Sequence, residues 1–411
     1  MEEWKNIKAC DYCYNVTDGT HDSPKQKESG KYLITSRHIK NNRIDFESAY
    51  KISEDDYNKI ISRSKVNQWD IIISMIGAYC GYCCIESSKQ TDYAIKNVGL
   101  LKVGNELRCK WLYYYLTSPY GKQQLSMLRS GSSQPYISLG ALRNLEIPIP
   151  NREVMSSIVS ILSALDAKIE LNRRINDNLE QQAQALFKSW FVDFEPFKDG
   201  KFVESELGMI PKGCRVGKAE DFYNINIGKT PPRKEQVWFS SNSSDYIWVS
   251  ISDLGSCGRF VFTSSEFLTH EAIKRHNIIL VPKDTILLSF KLTIGRVGIA
   301  GTELTTNEAI ARFITSDENR EYTYFLLKGY NYEKLGSTSS IATAVNSKII
   351  KAMVVLMPDK EILKAFSSLT KPYFDQILRN EQESIRLTIL RDTLLPKLMS
   401  GELKINATEV L

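Results

Sequence analysis

From Asn151 to Phe194, apolar residues stand at Ile158, Ile161, Leu165, Ile169, Ile175, Leu179, Leu186 and Trp190, a spacing of three and four that predicts one stripe along a helix. No Pro or Gly interrupts the stretch. Such a helix would span roughly 60 Å, longer than a small domain is wide, so its stripe needs a partner. The pattern returns at a constant offset of 208 residues: Pro150 matches Pro358, Glu153 matches Glu361, Ile161 matches Leu369, Ile169 matches Ile377, Asn172 matches Asn380, Leu179 matches Leu387 and Leu186 matches Leu394. Asn172 and Asn380 fall among the seam positions, where a polar residue fixes register at some cost in stability. Pro372 and Pro396 each remove a backbone donor, which predicts a second helix shorter or more bent than the first.

Outside the helices the pattern changes to short alternating or wholly apolar runs. YLITS, DIIISMI, AIKNVGLLKV and NLEIPIP predict strands, with a helical insert from Trp111 to Leu128. The order repeats after a Gly- and Pro-rich connector: DFYNINIGKTP follows the plan of DYCYNVTDGTH, YIWVS that of YLITS, DTILLS that of DIIIS, YTYFLLKG that of WLYYYLTS, and GSTSS that of GSSQ. The expected fold is therefore α/β (mixed α+β), with two domains of similar plan separated by two long antiparallel helices about an internal pseudo-twofold. Its predicted boundaries are 1–150 for the first domain, 151–194 for the first spacer helix, 195–213 for the connector, 214–357 for the second domain, 358–403 for the second helix and 404–411 for a tail. The same scaffold built twice, with different side chains on it, suits two recognition tasks.

With 411 residues, 42% of them hydrophobic and 25% charged, the chain has the make-up of an ordinary globular protein of two or three domains. No apolar run approaches a membrane span and the N-terminal stretch has no hydrophobic signal core, so a cytoplasmic location is expected. The eight Cys are scattered, with Cys83 and Cys84 adjacent, and read as reduced thiols. Cys10 with Cys13 and Cys80 with Cys83 form C-x-x-C pairs, but the distance between the pairs suits no zinc-ribbon pattern. The P-loop, dinucleotide-binding, zinc-protease and nucleophile-elbow motifs are missing, as is the Asn/Asp-Pro-Pro-aromatic tetrapeptide of amino-methyltransferases. These absences point away from catalysis and towards binding. The net charge of +5 permits a polyanionic partner, and from Lys25 to Arg43 six basic residues stand against the single acid Glu28.

The duplicated layout, the segment LNRRINDNLEQQAQALFKSWFVDF, the connector ESELGMIPKG and the ending NEQESIRLTILRDTLLPKLMSGEL resemble the specificity (S) subunits of type I restriction-modification systems, over the whole chain. The resemblance implies a chain without catalytic activity, whose two target-recognition domains each read one half of a split sequence in double-stranded DNA. It implies that the helices dock two methyltransferase (M) subunits, which bind S-adenosylmethionine, and that restriction (R) subunits join to make an ATP- and Mg-dependent nuclease. No cofactor is expected on this chain and no membrane partner. Two readers on one face of B-DNA stand about 34 Å apart, which predicts two short half-sites with an unread gap.

Base reading calls for Arg, Lys, Asn and Gln in a groove, and phosphate anchoring for cations, hydroxyls and amides. In the first domain these are sought at Lys25, Lys27, Arg37, His38, Lys40, Asn41 and Arg43, with Arg129, Ser132, Ser133 and Gln134 as a second approach. In the second domain the candidates are Lys229, Arg233, Lys234, Ser252, Arg259, Lys291, Arg296, Ser337, Thr338 and Ser339. The aromatic helix end at Phe187, Trp190 and Phe191, with Leu398 and Met399 at the equivalent positions, is the candidate partner-binding surface. The rival from another class is a coiled-coil scaffold carrying two protein- or glycan-binding domains, which would bind DNA without salt dependence or not at all.

Overall fold

The computed structural model describes residues 4–40, 42–131, 134–335 and 345–403. Two helices dominate it, Arg152–Phe191 and Lys360–Met399, each of 40 residues. The expectation of a shorter second helix is therefore corrected. Pro396 falls in its last turn, and Pro372 sits in the interior without ending it. Nearby polar groups are satisfied locally: the Thr370 hydroxyl donates to Phe366 O at 2.9 Å and the Ser367 hydroxyl to Asp317 O at 2.9 Å. Packing of the surrounding apolar face outweighs one missing backbone donor.

The chain divides into two compact units, one of residues 1–168 with 386–411, the other of residues 169–385. Each long helix contributes to both.

In the first unit, strand Lys5–Lys8 pairs antiparallel with Glu146–Ile149, next to the start of the first long helix. A four-stranded antiparallel sheet runs in the order Asn15–Asp18, Val98–Lys102, Asp70–Ser74, Cys83–Glu86. A three-stranded sheet places Lys31–Ile34 between Tyr50–Ile52 and the parallel strand Tyr93–Ile95. The predicted run AIKNVGLLKV is thus two strands in two sheets, broken at Asn97, whose φ of 54° turns the chain. The helical insert is likewise two helices, Glu106–Thr117 and Pro119–Met127, separated where Ser118 caps the second and Pro119 opens it. Trp111 is fully buried and its indole N–H donates to Pro148 O at 3.0 Å, fastening helix to strand pair. Met155, Ile158 and Leu162 of the first long helix share this core with Leu395, Leu398 and Met399 of the second.

The second unit repeats the plan. Cys214–Lys218 pairs with Val354–Pro358, and the main sheet runs Asn224–Ile227, Ile310–Ile314, Ile286–Ser289, Val297–Ala300, Phe260–Val261. Tyr246–Val249 lies parallel to Thr305–Thr306, as Lys31–Ile34 does to Tyr93–Ile95. Tyr322, on helix Arg320–Lys328, takes the place of Trp111 and donates its buried hydroxyl to Leu356 O. The connector also holds a hairpin, Phe202–Ser205 with Gly208–Pro211.

Within this unit Asn172 Nδ2 donates to Glu383 at 2.8 Å and to Asn380 O at 3.3 Å, and Asn380 Nδ2 donates to Asn176 Oδ1 at 2.8 Å. Phe187 meets Phe366, so the helices run antiparallel. The seam is more polar than its sequence stripe: Asn172, Asn176 and Glu180 are buried, whereas Ile175 is exposed.

Candidate nucleic-acid interface

In the first unit the basic run from Lys25 to Arg43 is interrupted by the strand Lys31–Ile34, on which Lys31 pairs with Asp92 at 2.7 Å. Lys25 and Lys27 are exposed beside a cleft of about 580 Å³ and carry no ion pair among the described residues. Asp55, Asp56 and Lys59, from helix Glu54–Ser64, line the same cleft. That helix escaped the sequence reading, although Ser53 three residues before Asp56 is a capping pattern; the Asp56 amide donates to Ser53 Oγ at 3.1 Å.

His38 is corrected: its imidazole is fully buried. Nδ1 stands 3.0 Å from the Thr35 amide and accepts its hydrogen, and Nε2 stands 3.1 Å from Arg37 Nε, so the ring closes a turn and is not presented to a ligand. Burial, aided by the Arg37 charge, lowers its pKa and favours the neutral form. Lys40 and Arg43 are exposed on facing strands of a short hairpin. Lys40 bonds Asp45 at 3.0 Å, and the Ser48 hydroxyl together with Lys40 holds the Asp45 carboxyl down to about 2. Asn41 lies outside the described residues, as do Ser132 and Ser133. Arg129 donates to Cys80 O at 2.6 Å, bracing the loop Met75–Tyr82, and Gln134 is exposed nearby in sequence. Tyr79 and Tyr82 are exposed on that loop, their rings edge to face at 5.8 Å.

The second unit gathers its cations more closely. Arg233 stacks on Phe239 and Trp248, at 4.4 and 4.5 Å from the ring centres, and bonds Glu266 at 2.9 Å. Thr230 donates to Glu308. Partial burial would raise the Glu308 pKa, but that hydroxyl and the charges of Lys291 and Arg233 outweigh it and hold the carboxyl below its ordinary value. Lys291, Arg233 and Thr230 are thus brought together around one acid. Lys229 is exposed and donates to His276 O, and Lys234 and Ser252 are exposed. Arg296 is half-buried and donates to Ile251 O at 2.8 Å, which makes it a brace.

Arg259 is a second correction. Its guanidinium donates to Glu180 at 2.8 Å and Asp177 at 2.6 Å, and its backbone amide donates to Glu381 at 2.8 Å, so it ties the domain to the long helices of its own unit. Burial opposes its charge, yet Glu180 and Asp177 raise its pKa above the ordinary value. Ser337, Thr338 and Ser339 lie outside the described residues.

The partner-binding candidates separate. Leu398 and Met399 are buried in the core of the first unit, which removes them as a surface. Phe191 is buried against Tyr322 and Phe366 at 4.8 and 5.0 Å; Trp190 is half-buried beside Phe197 and Phe366. Phe187 and Phe191 nevertheless form one wall of an apolar groove of about 690 Å³, with Val192, Leu207 and Tyr330 also lining it.

No group of three or more His, Cys, Asp or Glu is placed to hold a metal among the described residues. Cys13 and Cys83 are buried, and burial pushes both thiols up to about 12. Among the described residues no helix is long and apolar enough to cross a membrane.

A family model described as Type I restriction modification DNA specificity domain matches residues 1–181 and 211–387. The MjaIX type I restriction enzyme specificity subunit of Methanocaldococcus jannaschii is 31% identical over 307 residues, covering 72% of this chain and 69% of that one. The HindI specificity subunit of Haemophilus influenzae is 27% identical over 409 residues, covering 83% and 88%. A solved type I restriction-modification S subunit from M. genitalium superposes with a TM-score of 0.52 at 16% identity, covering 96% of each chain, a likeness of fold.

Proposed function

The chain belongs to the type I restriction-modification DNA specificity family, a non-catalytic subunit class, and from that premise we propose that it reads a bipartite DNA target, each domain recognising one half-site across an unread gap. The observation that carries this reading is the plan built twice, with matching strands, matching helices and different exposed side chains. Recognition of two unlike half-sites needs a common scaffold and divergent surfaces. The exposed cations Lys25, Lys27, Lys40, Arg43, Arg233 and Lys291 supply phosphate contacts, which carry much of the affinity and make it salt-dependent.

In the same reading, two methyltransferase subunits dock on the helix-bearing part of the chain, and restriction subunits complete the nuclease. The groove beside Phe187 and Phe191 supports a docking role for that helix end, since exposed apolar surface of this kind commonly marks a partner site. S-adenosylmethionine, ATP and Mg belong to the partner subunits in this assembly, and its place of work is the cytoplasm.

The test is an exchange of residues 1–150 for the matching domain of a relative, followed by sequencing of methylated sites in host DNA. One altered half-site is expected. Two altered half-sites from an assembled enzyme would overturn modular reading, and DNA binding insensitive to salt would favour the scaffold alternative.

A further inference from the structure

The loop between strands Ile286–Ser289 and Val297–Ala300 carries an exposed tip on a fastened base. Its base is tightly fastened. Ser289 N donates to Arg296 O at 2.9 Å, Gly295 N donates to Ser289 O at 3.0 Å, and the Ser289 hydroxyl donates to Thr293 O at 2.6 Å. Phe290 is buried beneath it, and the Arg296 brace holds its far side to Ile251 O. On this rigid base Leu292 is 100% exposed, at a φ of 58°.

Leucine is a poor choice there twice over. The left-handed backbone is costly for a residue with a Cβ, and a fully exposed side chain returns none of the stabilisation that burial would supply. Glycine would suit the position better. Such an outlier on a rigid loop points to a task other than stability. Ile294 is also exposed beside it, and Lys291 precedes it. Lys291 and Arg233 flank Glu308, whose carboxyl is engaged by Thr230, and Glu266 is paired with Arg233. The surroundings thus pair two cations with two carboxylates, and Lys291 is exposed at the tip itself.

The first unit has the same feature at the same place in its plan. The loop Met75–Tyr82 joins strands Asp70–Ser74 and Cys83–Glu86, is braced by Arg129 on Cys80 O, and exposes Tyr79 and Tyr82. Both domains thus present apolar or aromatic side chains on a braced loop joining two neighbouring strands of the main sheet, and the residue types differ. A side chain raised on such a loop tip can reach into the major groove of B-DNA, where base edges include apolar as well as polar groups.

We propose that the tip Lys291–Ile294 enters the groove of the half-site read by the second domain, with Leu292 in apolar contact with base edges and Lys291 beside a phosphate. This rests on the DNA-reading function proposed above. The test uses the full chain assembled with its methyltransferase subunits, a duplex carrying the target found by methylation sequencing, and a duplex of scrambled sequence. L292G removes the side chain and relieves the backbone, so the thermal midpoint of the chain holds or rises. Affinity for the target should fall about tenfold while affinity for the scrambled duplex and the salt slope stay unchanged, and L292M should restore binding. Parent-like target binding by L292G would overturn the proposal, and so would an equal loss on both duplexes, which would assign the tip to sequence-independent contact. A parent enzyme that does not prefer its target would instead sink the DNA-reading function itself.

Discussion

At one pair of matched positions the two units solve the same packing problem in opposite ways. In the first, Asp166 of one long helix accepts from Arg391 of the other at 2.7 Å and from the Tyr114 hydroxyl at 2.7 Å. At the matching positions, 208 residues away, the second unit has Phe374 and Ala183, both fully buried, with Phe374 against Tyr324 and Phe325 at 5.4 and 5.6 Å. A half-buried charged triad and a dry aromatic cluster thus occupy equivalent places. The repeat preserves the helix and its register, while the contact between helix and domain is set by each domain. The consequence is that the two units should fail by different mechanisms.

Removal of the aromatic anchor should have the largest effect. F374A leaves a cavity among Tyr324, Phe325 and Phe260, and a loss of about 3–5 kcal/mol is expected in urea denaturation. A loss below about 1 kcal/mol would show that the second unit does not depend on this cluster. R259A should cost about 2–3 kcal/mol, because it strips Glu180 of one cation and leaves Lys328 as its remaining one. The salt slope of DNA binding should not change in R259A; a slope reduced by one unit would return Arg259 to the DNA surface. On the polar side of the comparison, D166A should cost about 1–2 kcal/mol, since Arg391 keeps Asp392 and some solvent. A cost equal to that of F374A would erase the distinction between the units.

A pH titration sharpens the same contrast. Burial would raise the Glu180 carboxyl, but hydrogen bonds from Lys328 and Tyr324 and the Arg259 charge prevail and lower its pKa. A carboxyl depressed in the folded state contributes stability above its unfolded value, and that contribution is lost as pH falls through the folded value. The second unit should therefore lose stability as pH drops below the ordinary glutamate range, and E180Q should flatten that loss. An unchanged acid limb in E180Q would place the acid sensitivity elsewhere. The smallest stability effect is expected for K25A/K27A/K40A, whose side chains are exposed in the first unit. Its thermal midpoint should match the parent, while the salt slope falls by about one unit for each phosphate that the three lysines no longer neutralise. A parental slope would remove this stretch from the DNA surface.

How far the chain could be read from its letters differs from region to region. The two 40-residue helices were legible from apolar spacing, the matched Asn172 and Asn380, and the constant offset. The strand runs YLITS and DIIIS were legible because wholly apolar stretches bounded by turns have few alternatives. Helix Glu54–Ser64 was missed because its flanks are charged and its apolar positions few. The candidate interface was the least legible part. Charge alone does not distinguish Lys25, which faces solvent, from Arg259, which meets two carboxylates more than 70 residues away in sequence. Leu292 looks like one more strand residue until its φ and exposure are known.

Sequence by itself determined the repeat and the class and order of the most strongly patterned elements, because periodicity and turn chemistry act over a few neighbouring residues. Tertiary structure alone decided which side chains remain available: it buried His38, Leu398 and Met399, engaged Arg259 and Arg296, and left Tyr79, Tyr82 and Leu292 in the open. The physical reason is that availability depends on what the rest of the fold brings near a side chain, and for Arg259 and Arg296 those partners lie tens of residues away along the chain.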